Sequence, residues 1–203
     1  MDYFEIFSLP PHLTLDTAAL ERSFYALSRK LHPDRFASRP PAEQQAVLAA
    51  SSELNDAYRT LKDPIARTEY LLKLEGIELE EQASAATAAA RASGTAKKQV
   101  VPADLLEEAF ELNMQLEEMR AAKKVGDEDP QLRADLLAAK ADFDAKLAAT
   151  DADLANLHAQ WDAAVDANDS AARGAARDAM VALLNRRSYL RNLVRDVNEA
   201  LEG

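Results

Sequence analysis

The residues best suited to chemistry form one short segment, His32-Pro33-Asp34, with four basic residues around it. Pro33 restricts its own backbone and stiffens a turn, so short polar side chains beside it point outward where a partner can reach them. Asp34 can accept a charge-assisted hydrogen bond from a partner's arginine. The basic residues offer a cationic surface to an acidic partner face; they are Arg22, Arg29, Lys30 and Arg35. This pattern predicts a protein-binding surface and no catalytic constellation.

A purely structural interpretation of the same residues stays open at this point. Pro33 can simply turn the chain, Asp34 can cap that turn, and the basic residues can form a solvated helix face. The tripeptide alone does not separate the two interpretations, because short motif matches often mislead.

Other kinds of site find little support. The chain has no Cys, which excludes a disulfide framework, cysteine-bound zinc or iron-sulfur clusters and a cysteine nucleophile. Acidic residues are spread along helix surfaces without a distinct pair, and no Gly-rich phosphate loop is present. His158 has no His or Cys at metal-ligand spacing, so we predict a packed or surface histidine, and His12 has no evident partner. We expect no catalytic residue, no metal site and no cofactor.

The charge balance restricts the class of partner. The 203 residues include 24 Lys and Arg against 35 Asp and Glu, a net charge of −11. Such a chain repels phosphate backbones and anionic membranes, so we expect neither nucleic acid nor a membrane as partner. No apolar run approaches the ~20 residues of a membrane span, and no basic signal segment is readable, which predicts a cytoplasmic protein.

The elements that must position His32-Pro33-Asp34 are helices. A short helix over residues 2–8 precedes a second one, for which Asp16 is a candidate N-cap. This second helix must end near His32, because the residue before a proline is disfavoured in the α region. A third helix begins at Ala42 with matching apolar spacing, so the two long helices should form an antiparallel hairpin with the tripeptide at its tip. Asp63-Pro64 starts a fourth helix.

The second half of the chain predicts a separate unit. Residues 76–101 are rich in Ala, Ser and Thr and are interpreted as a linker. Beyond Pro102 three long helical patterns are joined by short breaks, which implies an antiparallel three-helix bundle over residues 102–203, with Phe143 and Trp161 in a core. The predicted fold class is all-α, a helical hairpin in residues 1–75 followed by this bundle.

The N-terminal segments MDYFEIFSLP, LDTAALERSFYALSRKLHPDRF and ELNDAYRTLKDPIARTEYLL resemble a J-domain, the co-chaperone module that stimulates DnaK-type ATPases. They are similar to the HscB family in particular, the J-proteins of iron-sulfur cluster assembly. This resemblance implies that His32, Pro33, Asp34 and the basic helix dock on an HscA-like chaperone and promote ATP hydrolysis there. It also implies that the bundle holds an IscU-like scaffold protein.

The helix after Pro102 carries two apolar stripes roughly 100° apart. The first stripe consists of Leu105, Leu112, Leu116 and Met119, and the second stripe consists of Leu106, Phe110 and Met114. One stripe suffices for the bundle core. The other either widens the apolar face or stays exposed for a partner, and periodicity alone does not decide between these.

In the family, the scaffold-binding surface falls on the second stripe. The positions that the resemblance carries over are Leu106, Glu107, Phe110, Glu111, Met114 and Tyr189. Glu107 stands where the family suggests Met, Met114 where an acidic residue is common, and Tyr189 where Phe is usual. These departures leave open a J-domain adaptor for a different client, and an enzyme or structural protein with an accidental tripeptide is the third hypothesis.

Overall fold

The structure is a computed structural model that describes residues 1–77, 79, 101–126 and 129–202. Its regular structure is helical in every described part, which confirms the all-α class. The N-terminal helices are α1 (Tyr3–Ile6), α2 (Thr17–Lys30), α3 (Pro41–Lys62) and α4 (Pro64–Leu74). The long helices that follow are α5 (Leu106–Val125), α6 (Pro130–Asp166) and α7 (Ser170–Glu202). Most of the predicted linker lies outside the described residues.

Two predicted helix starts are confirmed. Asp16 caps α2 by accepting the backbone N–H groups of Ala18 and Ala19 at 2.9 and 3.0 Å. Asp63 caps α4 by accepting from Ala66 at 2.7 Å. Both carboxylates satisfy amides that the first helical turn leaves without partners.

Contacts divide the chain into two compact units. The first unit comprises Met1–Ile77 and Leu157–Arg177, and the second comprises Glu78–Asn156 and Asp178–Gly203. The predicted division into residues 1–75, 76–101 and 102–203 stays a prediction. By contacts, however, the end of α6 and the start of α7 belong with the N-terminal helices.

In the first unit, α2 and α3 form the predicted hairpin. The rings of Phe24 and Tyr58 stack with centroids 4.2 Å apart, and the Tyr58 hydroxyl donates to Glu21 Oε1 at 3.2 Å. Leu20 of α2 and Leu54 and Leu61 of α3 are buried. An aromatic stack in a core of this kind adds to the free energy that area burial supplies, so it favours one register of the two helices.

The loop between α1 and α2 is bound by the second segment of the same unit. Asp162 accepts the backbone N–H groups of Leu13 and Thr14 at 2.7 and 2.9 Å, and the Trp161 indole donates to the Pro11 carbonyl at 2.9 Å. His12 Nε2 lies 3.0 Å from Asp166 Oδ1. The expectation that His12 has no partner is therefore wrong, because its partner lies 154 residues away along the chain.

His158 is buried in the first unit, as a packed histidine should be. Its Nε2 is 2.7 Å from Thr68 Oγ1, and that hydroxyl also donates to the Pro64 carbonyl at 2.7 Å. Since a hydroxyl has one proton, His158 must donate from Nε2 when Thr68 donates to Pro64. Burial and the neighbouring Arg67 guanidinium lower the pKa of His158 to about 4, although Asp162 opposes the shift.

We predict that His158 makes folding sensitive to acid. Because its pKa is about 4 in the folded protein and near 6.5 when unfolded, the unfolded chain binds more protons between these values. Its contribution to stability is complete above pH 6.5 and is lost as the pH falls towards 4, by roughly 3 kcal/mol. Denaturant unfolding across this range measures the loss. His158→Gln should give a shallower dependence, and an unchanged slope would contradict the assignment.

In the second unit, α5 contributes its first stripe to the core. Leu105, Leu112, Leu116 and Met119 are all buried, together with Phe143 of α6 and Leu190 of α7. Gly126 ends α5 with φ +72°, a left-handed conformation that glycine adopts without a steric penalty. The core of the second unit therefore uses the first stripe of α5.

Candidate functional site

The tripeptide forms a compact turn at the tip of the α2–α3 hairpin. Pro33–Phe36 make a single 3-10 turn, which we call the apex turn, and His32 caps it because His32 Nδ1 accepts the Asp34 N–H at 3.3 Å. The Arg35 N–H also donates to the His32 carbonyl at 3.0 Å. The Asp34 side chain is 89% exposed and that of His32 56% exposed. Hydrogen bonds therefore hold the backbone of the turn, while its polar side chains are accessible to a partner.

The basic residues lie on the side of α2 that leads to the apex turn. Arg29 and Lys30 occupy the last turn of α2 and are exposed. Arg22 lies seven residues before Arg29, on the same helix face, with its guanidinium 3.9 Å from Asp16 and largely in solvent. Arg35 Nη1 donates to the Arg29 carbonyl at 3.2 Å. The predicted docking residues are thus brought together, and Arg35 has a structural bond as well as a charge.

Tyr25 is a member of this surface that the sequence analysis missed. Its side chain is 55% exposed, on the same helix as Arg22 and Arg29, three residues after the first and four before the second. These spacings place the ring beside both cations on the helix surface. One indication of this was present in the sequence: Tyr25 directly follows Phe24, so a large aromatic side chain lies just outside the apolar face of α2.

The second stripe of α5 is exposed. Leu106, Phe110 and Met114 are 59%, 69% and 60% exposed, so this stripe does not widen the core. Large apolar side chains normally avoid water, and a row of them on one helix face is typical of a surface that another protein covers. Helical periodicity left open the alternative that the second stripe widens the core face of α5, and that alternative is wrong.

The acidic members of the predicted surface flank this stripe. Glu107 and Glu111 are exposed on α5. Tyr189 differs from them because it is partly buried on α7 against the core of the second unit, and burial raises the pKa of its hydroxyl. The structure therefore groups five predicted residues on one helix, while Tyr189 contributes to the packing of the bundle.

The described residues contain no group of three or more His, Asp or Glu side chains placed to hold a metal ion. Within the same part of the chain, no helix combines the length and apolar character that crossing a bilayer requires. The two exposed features that stand out are the apex turn with its basic helix and the second stripe.

Comparison with known proteins agrees with this geometry. Residues 2–70 match the DnaJ domain family. Over 79 residues, the chain is 46% identical to the protein named co-chaperone protein HscB homolog of Vibrio cholerae serotype O1, from two strains. These residues are 39% of this chain and 46% of that relative, so the chain matches less than half of the curated relatives' length.

Two solved structures share the fold over nearly the whole chain. The chaperone HscB from Vibrio cholerae superposes with a TM-score of 0.60 at 27% identity, covering 100% of this chain and 98% of that one. The human co-chaperone HscB superposes with a TM-score of 0.57 at 22% identity, covering 98% and 81% of the two chains. At this lower identity the second likeness shows the fold alone.

The helical hairpin, the capped apex turn and the match over residues 2–70 define a J-domain protein. The chain is similar to HscB of Vibrio cholerae in sequence over 79 residues and in fold over nearly its whole length.

Proposed function

We propose that this protein is a co-chaperone that stimulates the ATPase of a DnaK-type, HscA-like chaperone and delivers an IscU-like iron-sulfur scaffold to it. The chain performs no catalysis of its own in this proposal. Its J-domain promotes ATP hydrolysis by the partner, and its bundle holds the client. The nucleotide is bound by the chaperone.

The observation that carries the proposal is the apex turn. Its backbone is held by His32 at one side, while the Asp34 carboxylate is almost fully exposed at the end of a basic helix. An exposed carboxylate can accept a hydrogen bond from a partner arginine, and nearby cations attract an acidic partner surface. A turn that only connected two helices would not require this combination of a held backbone and exposed polar groups.

The second stripe supports the client half of the proposal. Its Phe and Met side chains suit an adaptable protein interface, and their exposure leaves them available for one. The flanking Glu107 and the presence of Met114 within the stripe favour a second candidate, a J-domain adaptor whose client is a protein other than an iron-sulfur scaffold.

Two measurements test the proposal. Adding the full-length chain to a purified DnaK-type ATPase should raise single-turnover ATP hydrolysis, and no increase would contradict the J-domain role. Titration of the chain with a purified IscU-like scaffold should show saturable binding. If hydrolysis rises but the scaffold does not bind, the adaptor for another client is the better description.

The basic helix gives a further prediction. Reversing Arg29 and Lys30 to Glu should raise the chain concentration needed for half-maximal ATPase stimulation, because exposed interface charges act mainly on association. Binding of the scaffold, measured in parallel, should not change. Wild-type stimulation that is insensitive to added salt would contradict electrostatic docking, since charges this exposed are strongly screened.

A further inference from the structure

The backbone that follows the apex turn lacks its usual hydrogen-bond donors. In a helical turn, the Ala37 carbonyl would accept from an N–H three or four residues later. Those positions are Pro40 and Pro41, and proline has no N–H. Pro40 and Pro41 separate the apex turn from α3. They therefore also remove the backbone N–H groups that could bind the Ala37 carbonyl and hold this loop in place.

A side chain replaces the missing donors. Gln44, in the first turn of α3, donates from Nε2 to the Ala37 carbonyl at 3.1 Å and to the Arg39 carbonyl at 2.8 Å. A primary amide has two N–H bonds, so one group can serve both acceptors. The Gln44 backbone is itself held in α3, where its N–H donates to the Pro40 carbonyl at 3.1 Å.

The loop is tied to both helices of the hairpin in this way. Arg35 joins the apex turn to the end of α2 through the Arg29 carbonyl, and Gln44 joins the following residues to the start of α3. The Arg39 N–H donates to the Phe36 carbonyl at 2.9 Å, so the segment held by Gln44 is continuous with the turn. A docking group acts only when its geometry is held, and a small displacement of such a group reduces its effect.

We propose that Gln44 is a positioning residue that holds the His32-Pro33-Asp34 turn in the orientation needed to stimulate the partner ATPase. This inference rests on the proposed co-chaperone function and assigns to Gln44 no contact with the chaperone. Its role is to supply the hydrogen bond to Ala37 that Pro40 and Pro41 cannot, together with a second one to Arg39. Gln44 acts through the loop, whereas Arg29 and Lys30 act through attraction of the partner.

The test compares three variants of the full chain. Gln44→Met keeps a similar shape without a donor, Gln44→Lys restores a donor, and Gln45→Met makes the same change at the adjacent exposed glutamine. Gln44→Met should lower maximal ATPase stimulation by about 3- to 10-fold, because the turn is misplaced while the attracting charges remain. The half-saturating chain concentration should change less than about twofold. Gln44→Lys should recover most of the stimulation, and Gln45→Met should match the wild type.

Amide hydrogen exchange provides a readout that does not need the chaperone. In Gln44→Met the Arg39 amide should exchange at least about threefold faster, because its loop opens more often, while amides around Leu54 in α3 keep their rates. Full stimulation by Gln44→Met, or an unchanged Arg39 rate, would overturn the inference. If the wild-type chain does not raise hydrolysis, the proposed function fails, and the exchange measurement alone decides whether Gln44 holds the turn.

Discussion

Replacing His32 by Gln should abolish stimulation of the partner ATPase and leave the fold intact. His32 is more than half exposed and belongs to no buried cluster, so its loss creates no cavity. Its imidazole caps the apex turn through the Asp34 N–H and presents a ring to solvent beside the Asp34 carboxylate. Gln can still accept from the backbone but cannot reproduce the ring, so the change tests the exposed surface and not the turn.

The same substitution at His12 is the matched control. His12 lies in the same compact unit but bonds to Asp166 and is absent from the apex turn. His12→Gln should stimulate hydrolysis normally, and His32→Gln should melt like the wild type. Unchanged stimulation by His32→Gln would contradict the J-domain mechanism. A lowered melting temperature would instead show that His32 has a structural role.

The two stripes of α5 are expected to respond in opposite ways to truncation. Leu112 is 1% exposed, and replacing a buried Leu by Ala typically costs ~2 to 5 kcal/mol. In a chain of this size, Leu112→Ala should lower the melting temperature by roughly 5 to 15 °C. Phe110 is 69% exposed, so Phe110→Ala removes little packing and should shift stability by less than about 0.5 kcal/mol.

Binding should show the reverse order. An exposed aromatic at the centre of an interface contributes ~2 kcal/mol or more, so Phe110→Ala should weaken scaffold binding by at least about 30-fold. Val125 is a suitable control because it is exposed on the same helix, fifteen residues and therefore ~22 Å from Phe110. Val125→Ala should bind normally. If Phe110→Ala melts as early as Leu112→Ala, the second stripe contributes to the core and the client surface lies elsewhere.

Much of the local structure could be predicted because its causes lie close together in the chain. Asp16 and Asp63 cap helices through amides two or three residues away, and Pro33 keeps α2 from continuing past His32, so that the helix ends at Lys30. The apex turn and the basic helix follow from the same short-range rules. The match to the DnaJ domain over residues 2–70 agrees with that local pattern.

Other features depend on contacts that spacing does not contain. Gln44 is an ordinary helix residue in the sequence, and its role appears only when α3 begins next to the Ala37 and Arg39 carbonyls. His12 contacts Asp166, and the Trp161 indole donates to the Pro11 carbonyl, and each of these pairs is about 150 residues apart in the chain. Such pairs depend on the packing of helices, which no local propensity determines.

The sequence by itself determined the helices, their caps, the turn that presents His32-Pro33-Asp34, and the existence of two apolar stripes on α5. Only the tertiary structure decided that Leu112 is buried and Phe110 exposed. It also decided that Leu157–Arg177 joins the first unit. The physical reason is that helical periodicity defines which residues share a face, whereas burial depends on which face the neighbouring helices cover.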